Sequence, residues 1–156
     1  MPNRCHVFQT LFALVLTGML GCTTGKRQSV EFLNPGTVLP DGLPFSEAVR
    51  VNNTLYLSGM VGVKPGTIEL VPGGIEAESH RTMENIRMTL KAHGASMDDV
   101  VKCTVMLADI SEWGTFNEIY KTYFNDRYPA RSALGANGLA LGARIEVECI
   151  AVVAND

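Results

Sequence analysis

Residues 94–124 read GASMDDVVKCTVMLADISEWGTFNEIYKTYF, a stretch in which a strand pattern gives way to a helix pattern. Apolar residues alternate through its first half: Val101, Cys103, Val105 and Leu107. That two-residue period predicts a strand with one buried face. Aromatic residues recur three and four positions apart in its second half: Trp113, Phe116, Tyr120, Tyr123 and Phe124. That period predicts a helix with a buried aromatic stripe, and Ser111 is its expected N-cap.

The chain on either side of this segment continues the mixture of strands and helices. Two short strands flank Asn52 and Asn53, a pair that favours a hairpin turn because asparagine tolerates positive φ. Residues 75–93 carry a narrow apolar stripe with helical spacing. Residues 131–136 and 144–153 are the last two predicted strands. The order predicts an α+β or α/β sandwich, with both helices on one face of a mixed sheet.

The face of the sheet without helices is also expected to need a cover. It is predicted to carry four apolar side chains: Val61, Val63, Ile150 and Val152. Such a surface is too apolar to be left in water, so we expect association between subunits.

Size and charge limit the possible functions. The chain has 156 residues and is 46% hydrophobic, which suits one domain with its own core. Its net charge of −3 argues against a surface that binds nucleic acid. The spacings C-x-x-C and H-E-x-x-H, which are typical of metal sites, do not occur in the sequence.

The first 22 residues, MPNRCHVFQTLFALVLTGMLGC, resemble an export signal. Arg4 precedes an apolar run over residues 11–20, which has the length of a signal-peptide core rather than of a membrane span. The run ends at Gly21 and Cys22, as in the bacterial lipobox, whose cysteine is lipidated. An ordinary secretory signal and a disordered leader are the alternatives.

The lipoprotein interpretation divides the chain into three parts: a signal peptide at 1–21, a lipidated tether at 22–36 and a domain at 37–154. It places the protein outside the cytoplasm, anchored to a membrane on its periplasmic or outer-surface side. An oxidising compartment permits a disulfide between Cys103 and Cys149. Both cysteines lie in apolar, strand-like runs, and two buried free thiols are the favoured alternative.

The last predicted strand, RIEVECIAVV, places two carboxylates on one face of an otherwise apolar segment. Glu146 and Glu148 share this face because their positions differ by two. A buried carboxylate without a partner is costly, so one of them needs a cation or a solvent-filled cleft. Arg131, expected on a neighbouring strand, either forms a structural ion pair with a glutamate or binds an anionic substrate in a cleft.

Three segments resemble the reactive-intermediate deaminase family, also called Rid, YjgF or L-PSP endoribonuclease: LYLSGMV, residues 94–124, and PARSALGANGLALGARIEVECIA. The resemblance covers most of residues 40–153. It implies a chorismate-mutase-like α+β fold with a six-stranded mixed sheet, and a homotrimer with clefts between subunits. The implied reaction is hydrolysis of small 2-imino acids, or their enamine tautomers, to 2-keto acids and ammonia, without a metal or organic cofactor.

The resemblance also assigns roles to residues. Arg131 matches the arginine that holds the substrate carboxylate, and Glu146 matches the glutamate that positions the hydrolytic water. Ser58 and Asn117 match two further residues of the site.

This chain departs from the family pattern at four positions. Phe45 stands where tyrosine is usual, Met60 where glutamine is usual, Ala133 where cysteine or threonine is common, and Ala140 where proline is usual. Phe45 and Ala133 are therefore expected to give the substrate site a more apolar lining. These losses leave two alternatives open, a divergent deaminase and a lipoprotein that binds small carboxylates without turnover.

The expected partners are a small anionic imino or keto acid, further copies of the chain, and a membrane reached through the lipid anchor. A ribonuclease is a third candidate function. The acidic composition and the lack of interleaved basic and aromatic residues count against it, and no nucleic-acid partner is expected.

Overall fold

A computed structural model describes residues 28–125 and 127–154. The predicted signal peptide and Cys22 lie outside the described residues and stay predictions. Within the described ranges, none of the helices is both long and apolar enough to cross a membrane.

The described residues form seven strands and two α-helices. In chain order these are β1 (Val30–Leu33), β2 (Ala48–Val51), β3 (Thr54–Leu57), β4 (Met60–Val61), α1 (Gly74–Ala92), β5 (Val100–Leu107), α2 (Trp113–Tyr120), β6 (Ala130–Gly135) and β7 (Ile145–Val152). Short 3₁₀ turns precede β5 and flank α2. The predicted α+β class, with a mixed sheet and two helices, is confirmed.

The strands form one sheet in the order β1-β2-β3-β7-β5-β6, with β4 also paired to β7. The β5–β6 pair is parallel and the other pairs are antiparallel. β3 and β4 both pair with β7, but in registers that differ by one residue. Tyr56 of β3 lies opposite Ile150, and Met60 of β4 lies opposite Val147. This bulge divides the single strand expected at 54–61 into β3 and β4.

The folded unit begins earlier than the predicted domain boundary at residue 37. β1 lies inside residues 22–36, which were predicted to be a tether. It pairs with β2 from Val30 opposite Val51 to Leu33 opposite Ala48. β1 was not predicted because its residues are exposed or half-buried. A strand without a buried face does not produce the alternation of apolar and polar residues on which the prediction relied.

The core lies between the helices and one face of the sheet. The predicted stripe of α1 is confirmed, with Ser79, Met83, Ile86 and Leu90 fully buried. Alternate residues of β7 meet it: Ile145, Val147, Cys149 and Ala151. Burying such side chains contributes about 1.5–3 kcal/mol for each large aliphatic residue, so this layer is the main source of stability.

Two details of the 94–124 segment differ from prediction. Val101 is exposed and Val100 is buried instead, because a register shift lies between Val100 and Lys102 in the pairing with β7. Ser111 is not the cap of the second helix. Asp109 instead caps the 3₁₀ turn Ile110–Glu112 that leads into α2, and its Oδ1 accepts hydrogen bonds from Ser111 N at 2.9 Å and Ser111 Oγ at 2.7 Å.

Cys103 and Cys149 form a disulfide rather than the favoured pair of free thiols. They lie directly opposite each other on β5 and β7, and their Cα atoms are 4.2 Å apart. Their buried positions account for the free-thiol prediction, which rested on strand pattern alone. The missing information was the register, which brings the two positions together.

The face of the sheet that lacks helices, called here the open face, is only partly as predicted. Val61 and Val63 are buried by the chain's own loops, in a small cluster with Ala143, Leu70 and Leu139. Of the four expected side chains, Val152 is exposed and Ile150 is half-buried.

Candidate functional site

Arg131 lies on β6 and faces the helices. It is in register with Cys103, a core residue of β5, so the two side chains share a face of the sheet. Arg131 Nη2 donates a hydrogen bond to Asn117 Oδ1 on α2 at 2.6 Å. Asn117 therefore fixes one edge of the guanidinium and leaves its other N–H groups for a ligand.

Three aromatic rings of α2 surround the same guanidinium. Its Cζ lies 4.5 Å from the ring centroid of Tyr120 and 5.9 Å from those of Trp113 and Phe116. Such contacts favour a cation and restrict its motion. Burial raises the pKa of Tyr120 to about 12, against the opposing effect of the Arg131 charge, so this hydroxyl stays neutral at physiological pH. Trp113, expected in the core, is 44% exposed and lies at the rim of this site.

Arg131 forms no ion pair with Glu146 or Glu148 among the described residues. The structural ion pair considered from the sequence is therefore not formed in this chain. β5 separates the strands of these residues, contrary to the expected adjacency. Glu146 is in register with Met106, whose position has the opposite parity to Cys103, so Arg131 and Glu146 lie on opposite faces.

Glu146 lies on the open face above the bulge between β3 and β4. A β-carbon on Gly59 would overlap Glu146 Oε1, so the carboxylate occupies space that only glycine leaves free. The pKa of Glu146 is raised, first by burial and second by the charge of Glu148. A carboxylate with a raised pKa is suited to accept and return a proton near neutral pH.

A cavity of about 460 Å³ opens beside Glu146. Its walls come from the loop before β2, the bulge, and the loops around residues 68 and 141. The lining is Leu39, Leu43, Phe45, Ser58, Gly59, Val61, Val63, Ile68, Ala140, Leu141 and Glu146. The structure thus brings three of the predicted residues together here: Phe45, Ser58 and Glu146.

Ser58 uses its hydroxyl within the protein. Its Oγ donates to the carbonyl oxygen of Ser46 at 2.6 Å, and its backbone N donates to the carbonyl oxygen of Glu47 at 3.1 Å. These bonds fix the bulge beneath Glu146. The hydroxyl oxygen can still accept a hydrogen bond from a ligand.

Glu47 is a buried carboxylate that was not predicted from the sequence. It is 2% exposed, and Thr89 Oγ1 on α1 donates to its Oε1 at 2.8 Å. Its Oε2 accepts from the backbone of Val38 and Leu39 at 3.4 and 3.3 Å. Glu47 therefore holds one wall of the cavity through Leu39. Its signal in the sequence was an acid inside the apolar run FSEAVRV.

The remaining predicted positions divide between two places. Ala133 lines a shallow cavity with Arg131, Trp113 and Ile110 on the other side of the sheet. Asn117 lines a second shallow cavity beside Arg131. Met60 is fully buried in the core and lines none of these three cavities, so its replacement of glutamine does not alter their walls.

No metal site accompanies these groups in residues 28–125 and 127–154. Within these ranges, no cluster of three or more His, Cys, Asp or Glu side chains is placed to hold an ion.

Comparison with known proteins identifies the family. The endoribonuclease L-PSP family matches residues 40–153. The chain belongs to this family. The match spans both halves of the candidate site, from Phe45 to Glu146.

Relatives within the L-PSP family agree with this assignment. The 2-iminobutanoate/2-iminopropanoate deaminase of Mus musculus is 49% identical over 109 residues, covering 70% of this chain and 81% of its own. The Homo sapiens protein of the same name is 45% identical over 109 residues, covering 70% and 80%. The crystal structure of E. coli TdcF with bound serine has a TM-score of 0.73 at 28% identity, covering 79% of this chain and 99% of its own.

Proposed function

We propose that this protein hydrolyses 2-imino acids to 2-keto acids and ammonia. Glu146 is the residue on which this function depends, because its half-buried carboxylate has a raised pKa and faces a cavity of ligand size. The names of the Mus musculus and Homo sapiens relatives support the same chemistry. Ser58, Asn117, Phe45 and Ala133 complete the proposed substrate site.

The proposed chemistry needs one proton shuttle and one water. Water attacks C2 of the protonated imine, a C–O bond forms, and Glu146 takes a proton from that water. Glu146 then returns the proton to the nitrogen, the C–N bond breaks to release ammonia, and the hydroxyl passes its proton to that ammonia as the ketone forms. The products are the 2-keto acid and ammonium. One carboxylate with a pKa nearer neutrality can serve both steps.

Arg131 is proposed to bind the substrate carboxylate. Its guanidinium retains free N–H groups after Asn117 has taken one edge, and these suit the two oxygens of a carboxylate. The aromatic rings around it restrict its rotamers before the substrate arrives, which lowers the entropy cost of binding.

The complete site is proposed to form between two protomers of a homotrimer. Arg131 and Glu146 lie on opposite faces of the sheet of one protomer, so a single small substrate cannot contact both there. A cyclic arrangement that places the Arg131 side of one protomer against the cavity of the next would unite the halves. This arrangement also covers the exposed residues of the open face.

The direct test is ammonia release by the purified full chain. An imine is generated in situ from L-threonine or L-serine by a PLP-dependent lyase, and its decay is followed with and without the protein. We expect a clear acceleration that Glu146→Gln abolishes. Equal rates in buffer and in the presence of the folded protein would remove the proposed activity.

Subunit complementation tests the shared site. Arg131→Ala and Glu146→Gln protomers, each inactive alone, are unfolded, mixed in equal amounts and refolded. Random assembly restores about one quarter of the sites if each site takes Arg131 and Glu146 from different protomers. No recovery in trimers shown to be mixed by mass would contradict a shared site.

Binding of small carboxylates without turnover is the second candidate function. It is favoured by Phe45 and Ala133, because both are apolar where the family pattern has polar side chains. Phe45 lines the cavity beside Glu146, and Ala133 lines a shallow cavity beside Arg131. Calorimetry with a 2-keto acid distinguishes it, since binding would be abolished in Arg131→Ala while imine decay stays at the buffer rate.

Export with a lipid anchor at Cys22 remains a proposal drawn from the leader sequence. The Cys103–Cys149 disulfide supports it, because such bonds persist mainly in oxidising compartments. Expression of the full chain and of Cys22→Ala, followed by membrane fractionation and mass measurement, tests the proposal.

A further inference from the structure

We propose that the substrate side chain is large and apolar, as in the 2-imino acids that derive from leucine or phenylalanine. This inference rests on the proposed function, because it concerns the side chain of the imino acid whose C2 lies against Glu146. The cavity beside Glu146 is the place for that side chain.

The wall of this cavity is mostly hydrocarbon. Eight of its eleven lining residues are apolar, and the others are Ser58, Gly59 and Glu146. Three large apolar side chains at its rim are strongly exposed in one protomer: Phe45 at 48%, Leu141 at 53% and Ile68 at 57%. A lining of this kind suits an apolar group of a ligand.

The polar groups of the cavity leave little for a polar side chain to bind. Glu146 is reserved for the water and the proton, and the Ser58 hydroxyl hydrogen is already donated to the carbonyl oxygen of Ser46. A negatively charged substrate side chain would lose its water without gaining a hydrogen-bond donor from the side chains of the lining. The lining therefore selects against anionic side chains as well as for apolar ones.

The backbone at Leu141 indicates that this wall is built rather than accidental. Leu141 has φ of 60°, a left-handed conformation that is costly for a leucine. This leucine lines the cavity next to Ala140. A side chain held at the cavity in a strained conformation is expected where its contact contributes to binding.

Size favours a long side chain over a short one. The cavity volume of about 460 Å³ lies in the range of sites that enclose whole small ligands. A methyl group would leave most of the apolar wall uncovered, whereas an isobutyl or benzyl group would bury much of it. Since one methylene in an apolar pocket changes specificity by about 10-fold or more, we expect kcat/KM to favour the larger imine by at least ~10-fold.

The experiment compares two imines made in situ by one amino-acid oxidase of broad specificity, from L-leucine and from L-alanine. The ratio of their kcat/KM values is measured for the full chain and for Ile68→Ser, which replaces an exposed residue of the wall. Val30→Ser, at a similarly exposed residue of β1 outside this cavity, is the matched control. Circular dichroism confirms that the variants are folded.

A ratio of about 10 or more that falls several-fold in Ile68→Ser and not in Val30→Ser supports the inference. Equal rates, or faster hydrolysis of the alanine-derived imine, overturn the inference and leave the proposed function in place. Acceleration of neither imine overturns both. A high ratio that both variants share also contradicts the assignment of the side chain to this cavity.

Discussion

Arg131 and Glu146 lie in contrasting surroundings on opposite faces of one sheet. Aromatic rings and the Asn117 amide hold Arg131, and no salt bridge in the described residues neutralises its charge. Glu146 lies against the backbone at Gly59 beside an apolar cavity, where burial raises its pKa. Within one protomer, neighbouring side chains therefore hold the Arg131 guanidinium without a counter-charge, whereas the Glu146 carboxylate is more easily protonated than usual.

The difference follows from how each side chain is supported. Arg131 is supported by side chains, so its surroundings can change by substitution without altering the backbone. Glu146 is supported by the backbone itself, through the bulge and the absence of a side chain at Gly59. We therefore expect substitutions on the arginine side to change binding, and substitutions on the glutamate side to change proton transfer.

Among the substitutions that act on substrate binding, removal of the Arg131 guanidinium is expected to have the largest effect. Arg131→Ala should lower kcat/KM for imine hydrolysis by about 10²–10³-fold, because the substrate loses both orientation and a charge-assisted bond. Arg131→Lys should recover only part of this loss, since an ammonium lacks the planar fork. The measurement is imine decay at several substrate concentrations.

Arg144→Ala is the matched control for that prediction. Arg144 directly precedes β7 and forms an ion pair with Glu112, in which Nη2 lies 2.7 Å from Oε1. A partly exposed ion pair of this kind contributes little, so kcat/KM should stay within about 2-fold. Similar losses in Arg131→Ala and Arg144→Ala would show that net charge matters, not the position of Arg131.

Gly59→Ala tests the backbone support of Glu146. The new methyl group overlaps Glu146 Oε1 and must displace the carboxylate, so kcat should fall by about 10–100-fold with KM little changed. Gly114→Ala is the control, because a β-carbon there meets open space in α2 and should raise stability by ~0.5–1 kcal/mol. Full activity in a folded Gly59→Ala protein would mean that the position of Glu146 is not critical.

The sequence predicted Arg131 and Glu146 as site residues, but it did not predict that they lie on opposite faces of the sheet. Residue periodicity indicated the helices, the strands and the shared face of Glu146 and Glu148, because burial repeats every two or every three to four residues. It could not show that β5 lies between β6 and β7. That order depends on long-range pairing, which leaves no local pattern, and it places Arg131 and Glu146 on opposite faces.

The supporting residues were harder to predict for a different reason. Gly59 matters because a side chain there would overlap Glu146, and Glu47 matters through its bonds to Leu39 and to Thr89, which is 42 positions away in the sequence. Trp113 has the spacing of a core residue, yet it lies where the aromatic stripe meets solvent beside Arg131. Each depends on tertiary contacts that composition and spacing do not encode.

Asn117→Asp should place a carboxylate beside Arg131 and so reduce the electrostatic difference between the two faces of the sheet. An aspartate would keep the oxygen that accepts from Arg131 Nη2 but would add the counter-charge that Arg131 lacks. It would then compete with the substrate carboxylate, and we expect KM to rise by ~10-fold. Asn117→Ala should raise KM less, because it only frees the guanidinium. A larger effect of alanine than of aspartate would indicate that Asn117 acts by orientation alone.

Glu146→Gln, which is expected to abolish turnover, should change stability only slightly, with a gain that depends on pH. The folded-state pKa of Glu146 is raised above its ordinary value of 4.5, first by burial and then by Glu148. The stability it contributes is therefore fully present below that ordinary value and is lost as pH rises through the folded pKa. Glutamine is never ionised, so near neutral pH the variant should be more stable by about 0.5 kcal/mol after solvent screening.

Thermal melts across pH separate this effect from ordinary repacking. The gain in melting temperature should be present near neutral pH. It should vanish toward about pH 4, where residue 146 is uncharged in both the unchanged protein and the variant. Glu148→Gln should give a smaller gain, because Glu148 is exposed and acts on Glu146 only as the second cause of its shift. A gain of equal size at every pH would place its origin in packing. Glu146 would then carry no charge penalty, and its contrast with Arg131 would lose its electrostatic basis.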